Sequence, residues 1–369
     1  MARILSPLCL PISPRGHFLK KTCFNLFCWS SKSIICIVFF MINRVLLYNS
    51  GGGIGDAIQI LPLINSLKKE FKNANFYYLC SHENHFNHSL KDLNSHIDTL
   101  DFNIKYFGFR WWHLLVVKNQ LKKQSIEKFD LIIDLQSKIR NSLILKMIPH
   151  KFFISSCFNF SLSNPKVNIK KDVKINTTIL NVVNKVFNTK CLLQDYDVNK
   201  IHSKYDEESK RLLPKNNYVG FSIDQGNVYR KKEWSINNVV SLCNKLKDKN
   251  KVPVFFIEKK KNDLKNKINK LIPSAIFPEH ESNLSSPALV TCLGKRLDFA
   301  ISIDNGVMHM LSLAKTPMVV LFGPTNSEKF APNYKNLIVL DSKKINNTSD
   351  ILSISAEDVL KAAEQHLNF

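Results

Sequence analysis

One stretch of this chain, Leu297 to Thr325, constrains the fold more than any other. It contains an apolar run, the polar turn Asp304 to Gly306, apolar residues at roughly helical spacing, and a second apolar run, Met318 to Phe322. Helical spacing between two short apolar runs, with glycine at the junctions, indicates a strand, a tight turn, a helix and a second strand. The stretch therefore predicts a βαβ unit, the building block of a parallel sheet.

The turn at Asp304 has chemistry that suits an anionic ligand. A helix that opens directly after a strand presents unpaired backbone N–H groups and the positive end of its dipole, which favour phosphate. Gly306 permits a close backbone approach, and Asp304 can accept from a ribose hydroxyl or a backbone donor. His309 lies four residues after Asn305 on the same helical face. An ordinary βαβ unit, in which Asn305 only caps the helix, explains the same residues equally well.

A second strand, glycine-rich loop and helix occurs near the start of the predicted core. The strand pattern Arg44 to Tyr48 is followed by the loop Asn49 to Asp56, which includes Gly53 and Gly55, and then by an amphipathic helical stripe. The loop has neither the Gly-Lys-Ser/Thr of a phosphate-binding Walker loop nor the G-x-G-x-x-G spacing of a dinucleotide fingerprint. Asp56 falls in the first helical turn, where the dipole favours an anion. It is either a capping acid or a base at the mouth of a cleft.

Alternating strand and helix patterns continue along the chain and break near Pro214. A new strand pattern starts soon after it, so we predict a first domain over residues 41–213, a second over 214–354 and a C-terminal helix over 355–369. The length of 369 residues and the hydrophobic content of 44% fit two domains with substantial cores.

Residues 1–40 differ in composition from the rest of the chain. They hold four of the nine cysteines and lead into an apolar run, Ile34 to Ile42, far shorter than the roughly 20 residues that a membrane-spanning helix needs. Met41 precedes the first strand pattern. We therefore expect the functional protein to start near Met41, with residues 1–40 as a poorly ordered extension or a misassigned start. Residues 149–195 are also irregular and indicate no clear element.

The chain is strongly basic, with 52 lysines and arginines against 30 acidic residues and a net charge of +22. Such a charge attracts polyanions, namely nucleic acid, an anionic membrane face or phosphorylated sugars. No known nucleic-acid-binding motif accompanies it.

No metal site is predicted from the cysteines and histidines. The cysteines lack metal-binding spacing, and His82, His85 and His88 favour a solvated loop. The pair Trp111-Trp112 is expected to anchor a helix in the core or at a domain surface rather than to bind a ligand.

Two further polar residues follow predicted strands of the second domain. Lys232 lies in a basic loop after the strand that starts at Tyr218, and its ammonium can pair with a diphosphate as a point charge. A solvated basic turn is the alternative in so lysine-rich a chain. Glu258 follows the strand Val252 to Ile257, at the carboxyl end where open α/β sheets bind ligands.

Several of these motifs together resemble one family. The resemblance is to the lipopolysaccharide heptosyltransferases of glycosyltransferase family 9. It is carried, in the family's order, by Gly55-Asp56 with Leu61-Pro62-Leu63, Asp130 to Gln136, Lys232-x-Trp234, Ser302 to His309, Ala314 to Pro317 and Leu321 to Thr325.

The resemblance implies a GT-B fold, in which two doubly wound Rossmann-like domains face each other across a cleft. It also implies inverting transfer of a heptose from an ADP-linked donor to a lipopolysaccharide inner-core sugar, with no metal and no cofactor besides the nucleotide sugar. The expected location is cytoplasmic, with peripheral binding to the anionic inner face of the cytoplasmic membrane, and no nucleic-acid partner.

The family's site residues carry over by position. Asp56 would be the general base, in the acceptor-side loop that holds Gly53 and Gly55. Lys232 and the backbone N–H groups of Asn305, Gly306 and Val307 would neutralise the leaving diphosphate. Glu258 would hold the nucleotide ribose, and Asp304 and His309 would shape the donor site.

Three departures from the family pattern bear on specificity rather than fold. Asn305 stands where the family has Ser or Thr, Trp234 lacks a following Pro, and the loop at Gly53 has additional glycines. Three alternatives stay open, the second of them because of the net charge of +22. They are a transferase or epimerase of the same fold that uses a UDP- or GDP-linked sugar, a basic nucleic-acid-binding protein, and a catalytically silent GT-B scaffold.

Overall fold

The computed structural model describes residues 41–224 and 232–367. The extension predicted for residues 1–40 lies outside the described residues. The described chain contains two parallel sheets of five strands, each covered by helices. This arrangement confirms the prediction of two doubly wound α/β units.

The first sheet has the strand order β3-β2-β1-β4-β5 and the second has the order β10-β9-β8-β6-β7. The strands of the first sheet are β1 Arg44–Asn49, β2 Asn75–Cys80, β3 Asp98–Thr99, β4 Phe129–Asp134 and β5 His150–Ser155. Those of the second are β6 Tyr218–Ser222, β7 Val252–Phe255, β8 Leu297–Ile303, β9 Met318–Phe322 and β10 Leu337–Asp341.

Helices connect and cover the strands. Those up to residue 212 are α1 Ile54–Gln59, α2 Leu61–Glu70, α3 His113–Gln124, α4 Ile139–Leu145, α5 Ile175–Phe187 and α6 Ser203–Leu212. The later ones are α7 Ile236–Asp248, α8 Asn262–Leu271, α9 Pro278–Glu281, α10 Pro287–Gly294, α11 Gly306–Leu313, α12 Ser327–Phe330, α13 Ser342–Ile345 and α14 Ala356–Leu367.

The central strands form because their side chains are apolar on both faces. All five residues of β6 and all five of β9 are buried, as are six of the seven in β8. Continuous burial is typical of parallel strands that carry helices on both faces, since no face of the sheet remains for solvent. The stretch Leu297 to Thr325 thus forms the predicted strand, turn, helix and strand.

Strand order places the two predicted site loops at equivalent positions. In the first sheet, β2 and β3 lie on one side of β1, whereas β4 and β5 lie on the other side, so the direction of winding reverses between β1 and β4. In the second sheet the same reversal falls between β6 and β8. Ligands of open α/β sheets bind at such reversal points, beyond the carboxyl ends of the strands. The loop after β1 carries Asp56, and the loops after β6 and β8 carry Lys232 and Asp304.

The C-terminal helix starts with a reciprocal cap. The backbone N–H of Asp358 donates to Ser355 Oγ at 3.1 Å, and the backbone N–H of Ser355 donates to Asp358 Oδ2 at 2.9 Å. This geometry is a capping box, which satisfies two donors at the helix start. Beside it, Trp234 is buried and its indole N–H donates to the carbonyl of Ile354 at 2.8 Å.

One local expectation differs from the structure. The irregular segment 149–195 contains a strand, β5, and a regular helix, α5. Helix α5 is rich in Thr, Val and Ile, which disfavour helix intrinsically, and its formation follows from the burial of its apolar stripe. Of the two places expected for the pair Trp111-Trp112, the core and a domain surface, the structure shows the surface, because the two residues are 53% and 57% exposed.

Candidate active site

The turn between β8 and α11 is held by Asn305. Its side-chain oxygen accepts from the N–H of Met308 at 3.0 Å, which caps the helix. Its amide nitrogen donates to Ser222 Oγ at 2.8 Å and to the carbonyl of Asp224 at 2.9 Å. Asn305 is therefore a helix cap and, in addition, a bridge between the carboxyl ends of β8 and β6.

Lys232 reaches the same turn from the loop after β6. Its ammonium donates to Asp304 Oδ2 at 2.5 Å and to the carbonyl oxygen of Asp304 at 3.0 Å. The two side chains are only 13% and 10% exposed. A solvated basic turn is therefore the wrong description of Lys232, because its charge is held, largely shielded from water, at the start of α11.

His309 lies one turn into α11 and is 7% exposed. Burial lowers the pKa of His309 to about 4, the positive charges of Lys174 and Lys232 add to this effect, and Asp304 opposes it. Burial of an imidazole favours the neutral form, because the charged form loses its hydration, and here the carboxylate of Asp304 offsets this only in part. His309 is therefore uncharged at neutral pH.

Helices α1 and α11 meet at their first turns. A Cβ placed on Gly55 would lie 2.9 Å from His309 Cδ2, and one placed on Gly306 would lie 2.8 Å from Ile54 Cγ2. These separations leave no room for a side chain, so glycine is required on both sides of the contact. The close approach brings the helix start that follows β1 against the helix start that follows β8.

Asp56 occupies the third position of α1 and is half-buried. Its Oδ2 accepts from the N–H of Gly53 at 3.3 Å, and a Cβ on Gly51 would come within 2.6 Å of the same oxygen. The carboxylate therefore folds back over the glycine loop. It lines a cavity of about 500 Å³ whose walls include Phe109, Gln136, Lys138, Lys171, Lys329 and Phe330.

Two of the three predicted loop histidines support this glycine loop. His85 Nε2 lies 3.2 Å from the carbonyl oxygen of Gly52, and the ring of His82 would meet a Cβ on Gly52 at 2.6 Å. His82 and His88 are nevertheless exposed, as the sequence indicates, and the side chain of His88 is 62% exposed next to Glu83, whereas His85 is partly buried.

Glu258 does not join the group around Asp304. Its side chain is 54% exposed and pairs with Lys260 at 2.5 Å. Strand β7, which precedes it, is at the edge of the sheet, two strands and so about 10 Å from β8. Its assignment to the nucleotide ribose stays a prediction.

Two acidic residues on the same edge of the second sheet were not predicted from the sequence. Asp224 directly follows β6 and pairs with Lys261 at 2.5 Å. Glu279, at the start of α9, is 8% exposed, and burial raises its pKa to about 7, with the charges of Glu258 and Asp224 adding to the effect. The strand-end rule that selected Glu258 also applies to Asp224, whereas nothing local in the sequence marks Glu279.

Within residues 41–224 and 232–367, no group of three or more His, Cys, Asp or Glu side chains could hold a metal ion. Over the same residues, no helix has both the length and the apolar character needed to cross a membrane.

Comparisons with known proteins identify the family. Residues 117–358 match the family described as glycosyltransferase family 9 (heptosyltransferase). No match was found among curated protein sequences.

Solved structures share the fold. A family 9 glycosyl transferase from Veillonella parvula is 18% identical with a TM-score of 0.65, and covers 88% of this chain and 97% of its own. The E. coli heptosyltransferase WaaC with ADP is 14% identical, with a TM-score of 0.63 and coverage of 88% and 99%. The E. coli ADP-heptose lps heptosyltransferase II is 14% identical, with a TM-score of 0.60 and coverage of 88% and 98%.

The matched region includes β8, α11 and β9, and the paired doubly wound sheets have the GT-B arrangement of those structures. The chain therefore belongs to glycosyltransferase family 9, the heptosyltransferase family, and is a glycosyltransferase with the GT-B fold.

Proposed function

We propose that this enzyme transfers a heptose from an ADP-linked donor to a sugar of the lipopolysaccharide core or a related acceptor, with inversion at the anomeric carbon. The observation that carries the proposal is the meeting of α1 and α11 at Gly55 and Gly306. Through this contact, the start of α1, which carries the Asp56 carboxylate, lies against the start of α11, where the Lys232 ammonium is bound. An inverting displacement needs these two groups on opposite sides of the reacting carbon.

Asp56 is the general base in this proposal. It takes the proton from the acceptor hydroxyl as that oxygen forms its bond to the anomeric carbon of the donor. The cavity lined by Asp56 admits the acceptor, and Lys138, Lys171 and Lys329 give its walls positive charge that suits an anionic core sugar.

Lys232 and the start of α11 act on the leaving group. As the bond between the anomeric carbon and the diphosphate oxygen breaks, negative charge develops on the departing nucleotide. The ammonium of Lys232 and the N–H groups of Gly306 and Val307 stabilise that charge. Asp304 holds Lys232 in place before the donor binds. Because these groups supply the positive charge, the proposed reaction uses no metal ion and no cofactor besides the donor.

Peripheral association with the cytoplasmic face of the membrane is part of the proposal. The net charge of +22 favours an anionic lipid surface, and a lipopolysaccharide precursor is anchored there by its lipid. The attraction should weaken as salt screens it.

A nucleotide panel tests the donor. The affinities of the purified enzyme for ADP, UDP and GDP are measured by calorimetry, and ADP is expected to bind most tightly. Incubation with ADP-heptose and a heptose-free lipopolysaccharide core should then give a product one heptose heavier, with inverted anomeric configuration by NMR. Tighter binding of UDP or GDP, together with transfer from the corresponding sugar, would reject the ADP-heptose donor.

A further inference from the structure

An aromatic and basic surface lies beside the proposed acceptor cavity. It consists of Trp111, Trp112 and Leu115, which are 53%, 57% and 68% exposed, with Lys118 and Lys122 further along α3. We call these five residues the tryptophan face. Helix α3 packs on the core through its other side, where Val117 is fully buried and Leu114 and Leu121 are partly buried.

Helical spacing explains why four of these five residues share one face, with Trp112 next to it. Trp111, Leu115, Lys118 and Lys122 are separated by four, three and four residues, which places them within one stripe of a helix. The backbone already turns as a helix at the tryptophans, since the N–H of Leu114 donates to the carbonyl of Trp111 at 3.1 Å. The stripe thus runs from large apolar rings to lysines along the helix axis.

The charge around this face has one sign. Between Phe102 and Ile126 the chain has five lysines or arginines and no aspartate or glutamate. Tryptophan prefers the boundary between lipid headgroups and acyl chains, and lysines beside it gain from anionic headgroups. A twofold contact between two copies would place these positive stripes against each other, which is unfavourable.

The tryptophan face continues into the rim of the Asp56 cavity. Phe109, two residues before Trp111, lines that cavity. The ammonium of Lys138, which also lines it, lies 5.7 Å from the ring centre of Phe109. Tyr106, 46% exposed, has its ring centre 6.2 Å from that of Phe109. A surface bound to the tryptophan face is therefore next to the cavity mouth.

We propose that the tryptophan face docks the enzyme on an anionic lipid bilayer, with the rings of Trp111 and Trp112 and the side chain of Leu115 in the headgroup region. Lys118 and Lys122 contact the anionic headgroups. The docking turns the Asp56 cavity toward an acceptor that is held in the membrane by its lipid. The role in catalysis rests on the proposed function, whereas the binding of lipid does not.

Vesicle co-sedimentation tests the docking directly. Wild-type enzyme is expected to bind phosphatidylcholine vesicles that contain phosphatidylglycerol, to bind pure phosphatidylcholine weakly, and to be released by salt. Replacing Trp111, Trp112 and Leu115 by serine should weaken binding by about tenfold or more. The matched control replaces Leu192 and Leu352, which are 76% and 53% exposed elsewhere, and should bind as wild type.

Charge reversal provides the second comparison. The test variant carries Lys118→Glu and Lys122→Glu on the tryptophan face. The control variant carries Lys247→Glu and Lys270→Glu at two exposed lysines of the second domain, so its net charge changes by the same amount. The test variant should bind vesicles more weakly than the control variant. Equal loss in both pairs would show that the overall charge, and not this face, binds lipid. The docking proposal would be overturned if the serine variant bound vesicles as tightly as wild type. This includes the case in which wild type is a dimer and the serine variant is a monomer that still binds vesicles, because the face would then be a dimer contact.

Transfer assays separate this proposal from the proposed function. The serine variant should keep wild-type activity on a deacylated, water-soluble core acceptor and lose activity on the same acceptor embedded in vesicles. If wild-type enzyme transfers to neither acceptor while the serine variant still loses vesicle binding, the acceptor is wrong and the docking surface stands. If the serine variant loses both activities equally, the face acts on the fold or the active site, and the docking role fails.

Discussion

The two turns that lead into α1 and α11 have the same order of strand, turn and helix but differ in how far they are exposed to solvent. Each follows a buried parallel strand, contains a glycine required by the opposite helix, and starts a helix. The loop at Asp56 is half-exposed and borders a cavity of about 500 Å³. The turn at Asp304 is more shielded, since Asp304 and His309 are 9% and 7% exposed, although Asn305 to Val307 between them are partly exposed.

This difference suits two tasks. A base must reach a hydroxyl on a bulky acceptor, which requires an open approach. A group that neutralises a diphosphate gains from exclusion of water, because charges interact more strongly where the surroundings are less polar. Under the proposed function, one strand-turn-helix unit serves as a base site and the other as an anion site, according to the side chains that surround each.

The largest effect is expected from Asp56→Asn. The amide keeps an oxygen that can accept from the N–H of Gly53, so the loop should keep its shape, but it cannot take a proton. We expect the turnover number to fall by about 10² to 10⁴-fold, the range for loss of a general base. Steady-state kinetics with a fixed acceptor measures this loss.

Asp358→Asn is the matched control, because Asp358 is also the third residue of a capped helix but lies at the start of α14. It should leave turnover unchanged. If Asp56→Asn and Asp358→Asn have the same turnover as wild type, Asp56 is a capping acid and the base lies elsewhere.

The next effect is expected from Lys232→Met, on the more shielded side of the junction. The change removes the cation that the donor's diphosphate would meet, and ADP should bind about a hundredfold more weakly by calorimetry. Lys251→Met is the control, since Lys251 forms a similar half-shielded pair with Asp298 at 2.7 Å, at the opposite ends of the strands. Loss of ADP affinity in both variants would indicate a general destabilisation instead of a diphosphate site.

A pH effect on stability should come from His309. Its pKa is about 4 in the folded protein and near 6.5 when unfolded, so the unfolded chain binds the extra proton between these values. The free energy of unfolding should therefore fall as the pH drops from 6.5 to 4, by on the order of 2 kcal/mol from this residue. Above the unfolded pKa the residue adds no pH dependence.

Denaturant titrations of wild type and His309→Gln across this window measure the contribution. The variant cannot gain the proton, so its stability should depend less steeply on pH. His88→Gln, at an exposed histidine, should reproduce the wild-type slope. A slope in His309→Gln equal to that of wild type would show that the imidazole is readily protonated in the folded state.

Most of the fold was predictable because its signals are local. The stretch Leu297 to Thr325 contains its own strands, turn and helix, so its pattern needs no distant partner. Helix α5 was missed because its β-branched composition conceals a stripe that only tertiary packing stabilises. The exposure of Trp111 follows from helix phase, which directs Leu114 and Val117 to the core instead.

The candidate site was predictable only in part. Lys232 and Asp304 follow the ends of strands, which the sequence marks. Their ion pair and the contact between Gly55 and His309 depend on strand order and on the approach of two helices far apart in the chain. Glu258 also follows the end of a strand, but that strand, β7, is at the edge of the sheet and so lies away from Lys232 and Asp304. The sequence does not show which strands are at the edge.

The smallest effect is expected from Asn305→Ser, which installs a residue type that the family resemblance implies at this position. Serine keeps an oxygen that can cap α11, but it lacks the amide that donates to Ser222 and to the carbonyl of Asp224. Two hydrogen bonds between β8 and β6 are lost, and the free energy of unfolding should fall by about 1 kcal/mol. Asn326→Ser at the start of α12 is a useful control, because the asparagine there caps its helix by accepting from the N–H of Lys329 at 3.0 Å. If Asn305 also determines which nucleotide sugar binds, Asn305→Ser should change the ratio of ADP to UDP affinity as well as the free energy of unfolding. An unchanged ratio with reduced stability would confine Asn305 to holding the turn.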